Sequence, residues 1–366
     1  MCTRVLWADA HHAAIVGRTM DFHMDLLTNL WKMPRGIERS DGVHGTLTWA
    51  ATYGSVVATA FDLIATDGMN EAGFAGHILW LTESDYGTPT ESQVQLSQSV
   101  WLQYYLDNFA TVAEAVEWTR RSDVRIGQLF DPTGHLVPTL HLALNDASGD
   151  SAIIEYTDGS PAIYHSRDYA VMTNSPTFDR QLELVTQFEG LGGDQPLPGS
   201  TLASHRFARA AYYLAHQVQP TSNLQAMAAM FSILSNVAQP FRAPEPGKPE
   251  ASQTIWQVVA DMTNLRYAFE STSRPNIVWV DFPKMSFAEG SPVEKLDLLG
   301  RLSLEGGLAG DCSQEFEPVA DGVLGLVSAG RQALEYVARR QEAFADLARE
   351  VAASASSPSA HRQAAP

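Results

Sequence analysis

Position 2 of the chain is a cysteine, directly behind the initiator methionine, and the 366 residues hold only one other, Cys312. A free cysteine entering a strand packs as a small buried hydrophobe. Removal of Met1, however, would make Cys2 the N-terminal residue, with a thiol nucleophile and a free amine on one carbon. Ordinary pKa values of about 7.7–8.0 for an α-amine and about 8.5 for a thiol place both near working pH. The amine can then serve as general base for its own thiol, directly or through water, the arrangement known for N-terminal threonine. Arg18 and Asp21 lie in "GRTMDF", and a hairpin turning between Ala10 and His12 would return them beside the N-terminus. An arginine there favours thiolate, and an aspartate orients the ammonium. The competing reading of the two is a surface ion pair on adjacent strands.

The elements that must position these residues follow from periodicity. "TRVLWAD", "AAIVGRTMDF", "SVVATAFDLIATDGMNEAGFAGHILWL" and "AVMTNSP" run apolar or alternate between turn signals, as strands do. In "TLHLALNDASGDSAIIEYTDGSPAIYH" the turns at Asn145 to Gly149 and at Asp158-Gly159 divide three strands into a meander. "DGMNEAG" reads as a hairpin turn that uses Asn and Gly for positive φ, which makes Asn70 structural. The spacing predicts one amphipathic helix over "SVWLQYYLDNFATVAEAVEWTRR", with Thr111 and Glu114 at capping positions, and another over "SHRFARAAYYLAHQV". "NLQAMAAMFSILSNV" is apolar on most faces and reads as a buried helix. "QTIWQVVADMTNLRYAFEST" and "NIVWVDF" follow; the region near 290–325 is less patterned, and a last helix is expected over about 327–351. Residues 352–366, small and polar, read as a disordered tail. There is no internal repeat and no linker composition. Strand groups at both ends with helices between predict a single α+β layered domain over residues 2–350.

Composition excludes several classes of function. With 24 Lys and Arg against 42 Asp and Glu, the formal net charge is −18. No basic run is present, so nucleic acid and anionic membranes are poor partners. Cys312 has neither a CxxC spacing nor a nearby histidine pair, and His11, His12 and His23 lack metal-ligand spacing, so neither a metal nor a cofactor is expected. No segment approaches the length of a transmembrane span, and the N-terminus lacks a signal-peptide pattern. The chain as written is expected to be cytoplasmic, or periplasmic if Met1 replaces a removed signal peptide.

Taken in order, "MC", "GRTMDF", "DGMNEAGF", "DASGDSAIIEY", "VMTNSPTFD" and "HRFARAAYYL" resemble the choloylglycine hydrolase family, which includes conjugated bile acid hydrolases and penicillin V acylases. The resemblance runs from Cys2 to about Phe282. Any one motif is weak; all of them in register with an N-terminal cysteine are specific. The resemblance implies a four-layer αββα sandwich of the N-terminal nucleophile (Ntn) hydrolase type. It also implies hydrolysis of a linear non-peptide amide through a thioester, without a cofactor, by a homo-oligomer, specifically a homotetramer. It assigns the nucleophile to Cys2 and its partners to Arg18 and Asp21. It matches the asparagine of "TNSP" to Asn174, a side-chain donor to the tetrahedral oxyanion, although an asparagine before Ser175-Pro176 also reads as a turn residue. The arginine of the family's "SRF" matches Arg206, here preceded by His205 in place of serine. Arg209, one helical turn on, is the competing candidate.

The chain departs from the family pattern at Trp80, which aligns with a position that is often asparagine in bile acid hydrolases and tyrosine in some penicillin V acylases. A tryptophan cannot replace an asparagine side chain as oxyanion donor, but it can wall a pocket, with Phe22 beside it; either residue can equally be core. An aromatic wall suits a phenoxyacetyl or fatty acyl group. Penicillin V, and with it long-chain N-acyl homoserine lactones, are therefore expected in preference to conjugated bile acids, which remain the alternative. A non-catalytic ligand-binding protein on the same fold is a further alternative. A papain-like hydrolase is not favoured, because the chain lacks that local signature and a nucleophile at position 2 does not suit it.

Overall fold

The computed structural model describes residues 1–319 apart from 42–46, 91, 130–137, 242–251, 275 and 304–305. The helix expected over 327–351 and the tail at 352–366 lie outside the described residues.

The chain begins with the hairpin its sequence predicts. Strand β1 (Cys2–Ala10) pairs antiparallel with β2 (Ala13–Phe22), placing Cys2 opposite Met20 and Arg4 opposite Arg18. His11 and His12 form the two-residue turn, both with positive φ, 54° and 62°. That is the combination a tight hairpin needs, and histidine tolerates it better than most residues. β1 is flanked by Val171–Met172, and β2 by Gln253–Asp261, followed by Arg266–Ser271, Ile277–Asp281 and Gly310–Asp311, to give a seven-stranded sheet. A second, nine-stranded sheet holds the predicted meander, Leu140–Asn145, Ser151–Thr157 and Ser160–His165, beside Ala75–Trp80 and Ile64–Asn70.

The stretch predicted as one long amphipathic helix is two, α1 (Trp101–Asn108) and α2 (Val112–Arg121). The break falls at the capping box: Thr111 accepts from the Glu114 amide, and the Glu114 carboxylate accepts from the Thr111 amide. α1 and α2 pack on the second sheet. α3 (Phe178–Val185), α4 (Ala203–Ala215) and α5 (Asn223–Val237) lie on the other side, where α4 packs on β1 and α5 on β2. The layers are therefore helix, sheet, sheet, helix, the αββα sandwich. α5 is not buried all round. Ala226, Met227, Met230, Ile233, Leu234 and Val237 face the sheet, whereas Leu224 is 71% exposed. Each large apolar side chain on that face contributes about 1.5–3 kcal/mol on burial. Gly17 permits the contact, because a Cβ there would lie 2.6 Å from Met230 Cγ.

Strand alternation now determines which residues meet. Along the β1–β2 hairpin, Cys2, Arg18 and Met20 point between the sheets, while Thr3 and Asp21 point toward α4 and α5. The separation of three between Arg18 and Asp21 thus sends them to opposite faces of one strand.

Candidate active site

Five of the seven expected site residues converge at the N-terminal end of β1. Arg18, fully buried, brings Nη2 to 3.3 Å from Cys2 Sγ and also donates to the Ile78 carbonyl at 2.9 Å. Met20 Sδ lies 3.7 Å from the same sulfur. The Arg18 guanidinium sits over the Trp256 ring, 4.8 Å from its centroid. Burial works against the Arg18 charge, but its interactions with Cys2 and Asp67 outweigh it and raise its pKa.

On the other face, Asp21 accepts from Thr254 Oγ1 at 2.6 Å and from Gln239 Nε2 at 2.8 Å, with Arg206 Nη1 at 3.6 Å. Arg206 reaches down from α4. It donates to the Cys2 carbonyl and Thr3 Oγ1 through Nη1, and to Asn174 Oδ1 at 2.8 Å through Nη2. Burial pulls its pKa down, opposed by Asp21 and Cys2. Arg209, the competing arginine, turns away to the carbonyls of Pro198 and Ser200. One helical turn separates a residue under the sheet from one at the helix flank.

Asn174 joins these groups to the second sheet. Its Oδ1 accepts from the Cys2 amide at 2.6 Å and its Nδ2 donates to the Trp80 carbonyl at 2.7 Å. A carboxamide nitrogen carries two protons, so one remains for a substrate oxygen. Asn174 follows the strand Val171–Met172 and precedes the cis peptide Ser175–Pro176. A buried pair fixes this loop. His141 turns one ring nitrogen to Glu155 Oε1 at 2.9 Å and the other to the Thr173 carbonyl at 3.0 Å. Glu155 in turn accepts from the Phe178 amide, and Gln181 Nε2 donates to the carbonyls of Asn174 and Ser175.

Met1 is still attached, so the Cys2 nitrogen is an amide and the chain's ammonium is that of Met1, which donates to the Asp21 carbonyl. Its burial pushes that amine's pKa down, against the pull of Cys2 and Asp21. The expected contact between the Asp21 carboxylate and the N-terminal amine is absent from this arrangement; Asn174 holds the Cys2 nitrogen instead.

The two aromatic candidates are placed less directly. Trp80 ends its strand half-buried and offers its carbonyl to Asn174, and Phe22 packs on the His23 ring at 4.3 Å. A cavity of about 300 Å³ opens at this end of the sandwich, lined by His23, Met24, Thr28, Trp256, Phe269 and Arg274 among others. Phe22 and Trp80 lie outside that lining, whereas Trp256, which carries Arg18, is part of it. Sequence reasoning missed Trp256, Gln239, Thr254 and His141. For Trp256, Thr254 and His141 the only signal was polar or aromatic character within strands; Gln239, in the loop after α5, had none. Both cysteines are buried and neither is in a disulfide, and no helix among the described residues is long and apolar enough to cross a membrane.

The profile described as "Linear amide C-N hydrolases, choloylglycine hydrolase family" matches residues 2–295. A penicillin V acylase of Pectobacterium atrosepticum is 42% identical over 321 residues, 81% of this chain and 85% of that protein. A bile salt hydrolase/transferase of Clostridium perfringens is 26% identical over 268 residues, 65% of this chain and 79% of that protein. Among solved structures, penicillin V acylase from Agrobacterium tumefaciens superposes with a TM-score of 0.79 at 40% identity, over 87% of this chain and 98% of that one. With a cysteine, two arginines, an aspartate and an asparagine gathered at the start of β1 in an αββα sandwich, the chain is a linear amide hydrolase and belongs to the choloylglycine hydrolase family.

Proposed function

We propose that the chain is an N-terminal cysteine amidase of the penicillin V acylase type, active once Met1 is removed. The observation that carries this reading is the Arg18 guanidinium 3.3 Å from Cys2 Sγ, both fully or nearly fully buried. At an effective dielectric of about 20, unit charges at that separation attract by about 5 kcal/mol before desolvation is subtracted. An exposed pair is worth about 0–1 kcal/mol.

In the proposed reaction the freed α-amine of Cys2 takes the thiol proton, and the thiolate attacks the amide carbonyl. The carbonyl electrons move to oxygen, which accepts a hydrogen bond from the remaining Nδ2–H of Asn174. Collapse of the tetrahedral intermediate breaks the C–N bond, and the α-ammonium returns its proton to the leaving amine. Water, deprotonated by the same amine, then cleaves the thioester to release the acid and restore the thiol. Arg206 holds the Cys2 carbonyl and Asn174 Oδ1 throughout, and Asp21 balances the charge of Arg206.

The substrate reading is penicillin V, with N-acyl homoserine lactones as a second acyl class, over conjugated bile acids. It is supported by the 42% identity to a penicillin V acylase against 26% to a bile salt hydrolase/transferase. Trp80 and Phe22 remain the proposed aromatic wall, and the homotetramer remains the proposed assembly. The deciding experiment is a panel of penicillin V, long-chain acyl homoserine lactones, glycocholate and taurocholate against wild type and Cys2→Ala, with intact mass of the active preparation. The expected result is highest kcat/KM for penicillin V, no turnover by Cys2→Ala, and a mass lacking Met1. Full activity with Met1 retained would sink the mechanism; a higher kcat/KM for taurocholate would overturn only the substrate.

A further inference from the structure

We propose that Asp67, held by His77 and Tyr267, is the positioning residue for Arg18, setting how much of the arginine's charge reaches the Cys2 sulfur. The inference rests on the reading of Cys2 as nucleophile.

"DGMNEAG" looks like a turn in sequence, but only its last residues turn. Gly73 carries the positive φ, 79°, and Asn70 caps the turn through its side chain. Asp67 lies three residues earlier, inside the strand Ile64–Asn70 and directly across from His77. Its carboxylate is completely buried between the sheets. It accepts from His77 Nδ1 at 2.6 Å, from the Tyr267 hydroxyl at 2.7 Å and from Arg18 Nη1 at a longer 3.4 Å. His77 comes from the same sheet, whereas Tyr267 and Arg18 come from the other. Asp67 therefore ties the two sheets together immediately behind the candidate nucleophile.

The order of these distances is the argument. A buried guanidinium needs a compensating anion, and left alone an arginine and a carboxylate close to a bidentate pair at about 2.7–2.9 Å. Such a pair would turn both Nη atoms toward Asp67 and away from sulfur. Here two neutral donors occupy the carboxylate at short range, and the arginine is held at arm's length. Nη1 is fixed by the Thr66 carbonyl at 2.9 Å, and Nη2 stays on the sulfur side with the Ile78 carbonyl. Both donors keep their protons across working pH: burial pushes His77 toward its neutral form, and burial together with Asp67 pushes the Tyr267 phenol well up. His77 Nε2 has no hydrogen-bond partner among the described residues, which fits a ring whose single proton sits on Nδ1.

The charged and titratable groups around this chain of contacts are limited. Arg18 faces the Cys2 thiol, while Asp21, Arg206 and the N-terminal amine lie near the Cys2 backbone on the helix side of the strand. Arg18, His77 and Tyr267 face Asp67, with Arg4 of β1 near His77. Asp67 is thus the group whose charge can be altered without touching the thiol, the amine or Asn174.

Two substitutions should then act with opposite sign. Asp67→Asn removes the competing anion, so the acid limb of iodoacetamide labelling at Cys2 should move to lower pH by about one unit. A thiolate held more tightly by Arg18 is a weaker nucleophile, so kcat in the same variant should fall about threefold with little change in KM. Tyr267→Phe removes a donor, lets Asp67 take more of Arg18, and should move the labelling limb to higher pH. The experiment is the pH profile of Cys2 labelling in Met1-free enzyme, followed by mass spectrometry, beside kcat and KM for penicillin V. Shifts of opposite sign support the proposal. A Tyr267→Phe profile superimposable on wild type would overturn it, whether or not Asp67→Asn folds. The underlying reading fails separately, if wild type fully labelled at Cys2 still hydrolyses penicillin V.

Discussion

Asn174 offers the sharpest separation of a chemical role from an architectural one, through the pair Asn174→Ala and Asn174→Asp. The side chain makes three hydrogen bonds: from the Cys2 nitrogen at 2.6 Å, from Arg206 Nη2 at 2.8 Å, and to the Trp80 carbonyl at 2.7 Å. Alanine deletes all three and the oxyanion donor with them. Each buried group left without a partner costs about 1–3 kcal/mol, and water entering the vacated space recovers part of it, so a net loss of about 2–4 kcal/mol is expected. Losing one oxyanion donor costs about 2.7–4 kcal/mol in the transition state, or about 10²–10³ in kcat. Aspartate is nearly isosteric. It still accepts from the Cys2 nitrogen and from Arg206, so most stability returns, yet it has no proton for an oxyanion and sets a negative charge where one develops. If Asn174 acts as a donor, both variants lose at least about 10² in kcat with KM little changed, and alanine loses more stability than aspartate, which leaves only the Trp80 carbonyl without its donor. If it merely holds the N-terminus, aspartate retains kcat. The assay is steady-state hydrolysis of penicillin V at 25 °C with a thermal melt of each variant. A folded Asn174→Asp enzyme within threefold of wild-type kcat, about 0.7 kcal/mol, would refute the donor role.

Three further outcomes are expected. Arg206→Met should abolish measurable turnover, while Arg209→Met, which loses contacts to the Pro198, Ser200 and Asn236 carbonyls and none to Cys2 or Asn174, should keep kcat within a few-fold of wild type; equal losses in the two would contradict the placement of Arg206. Gly17→Ala drives a methyl group into Met230 Cγ at 2.6 Å, and should destabilise by about 1–3 kcal/mol in a denaturant melt, with Met230→Ala in the same chain recovering part of the loss. Asp311 is a carboxylate whose burial is outweighed by Lys284 and Ser313, which hold its pKa down at about 2. A depressed carboxylate pKa contributes stability that is present above the unfolded value of 3.8 and is lost as pH falls toward 2. Asp311→Asn should therefore melt below wild type at pH 7 and together with it near pH 2; a Tm difference that persists at pH 2 would show that the effect is not electrostatic.

The hairpin and the meander were legible because each depends on neighbours in sequence. Asp158-Gly159 and the Thr111–Glu114 box are local devices, and both are present. Where the sequence misled, one cause was local and the others were non-local contacts. The stretch from Ser99 to Arg121 has one continuous helical period, but the capping box inside it starts a second helix. α5 looks apolar on most faces because Leu224 and Ala228 are apolar yet exposed, and only its packing on Gly17 tells which side is core. Arg206 and Arg209 were not separable, since a helical turn resolves them only once the sheet beneath is known. Asp67 was hidden for a related reason. Its neighbours in sequence signal a turn, while its partners, Arg18 and Tyr267, are 49 and 200 residues away.

The hairpin that carries Cys2 and Arg18 also constrains how such a chain can vary. Because successive residues of a strand face opposite ways, a single-residue insertion or deletion between Ala10 and Ala13 would slip the register and invert every side chain downstream of it. Arg18 would then point at the helices and Asp21 at the thiol, exchanging the two charges across the sheet. Side chains at His11 and His12, both exposed, are free to change among residues that accept positive φ, but the count of residues between Ala10 and Ala13 is not. The loop is permissive in identity and strict in length, so lineages that keep this chemistry should show substitutions there and gaps elsewhere.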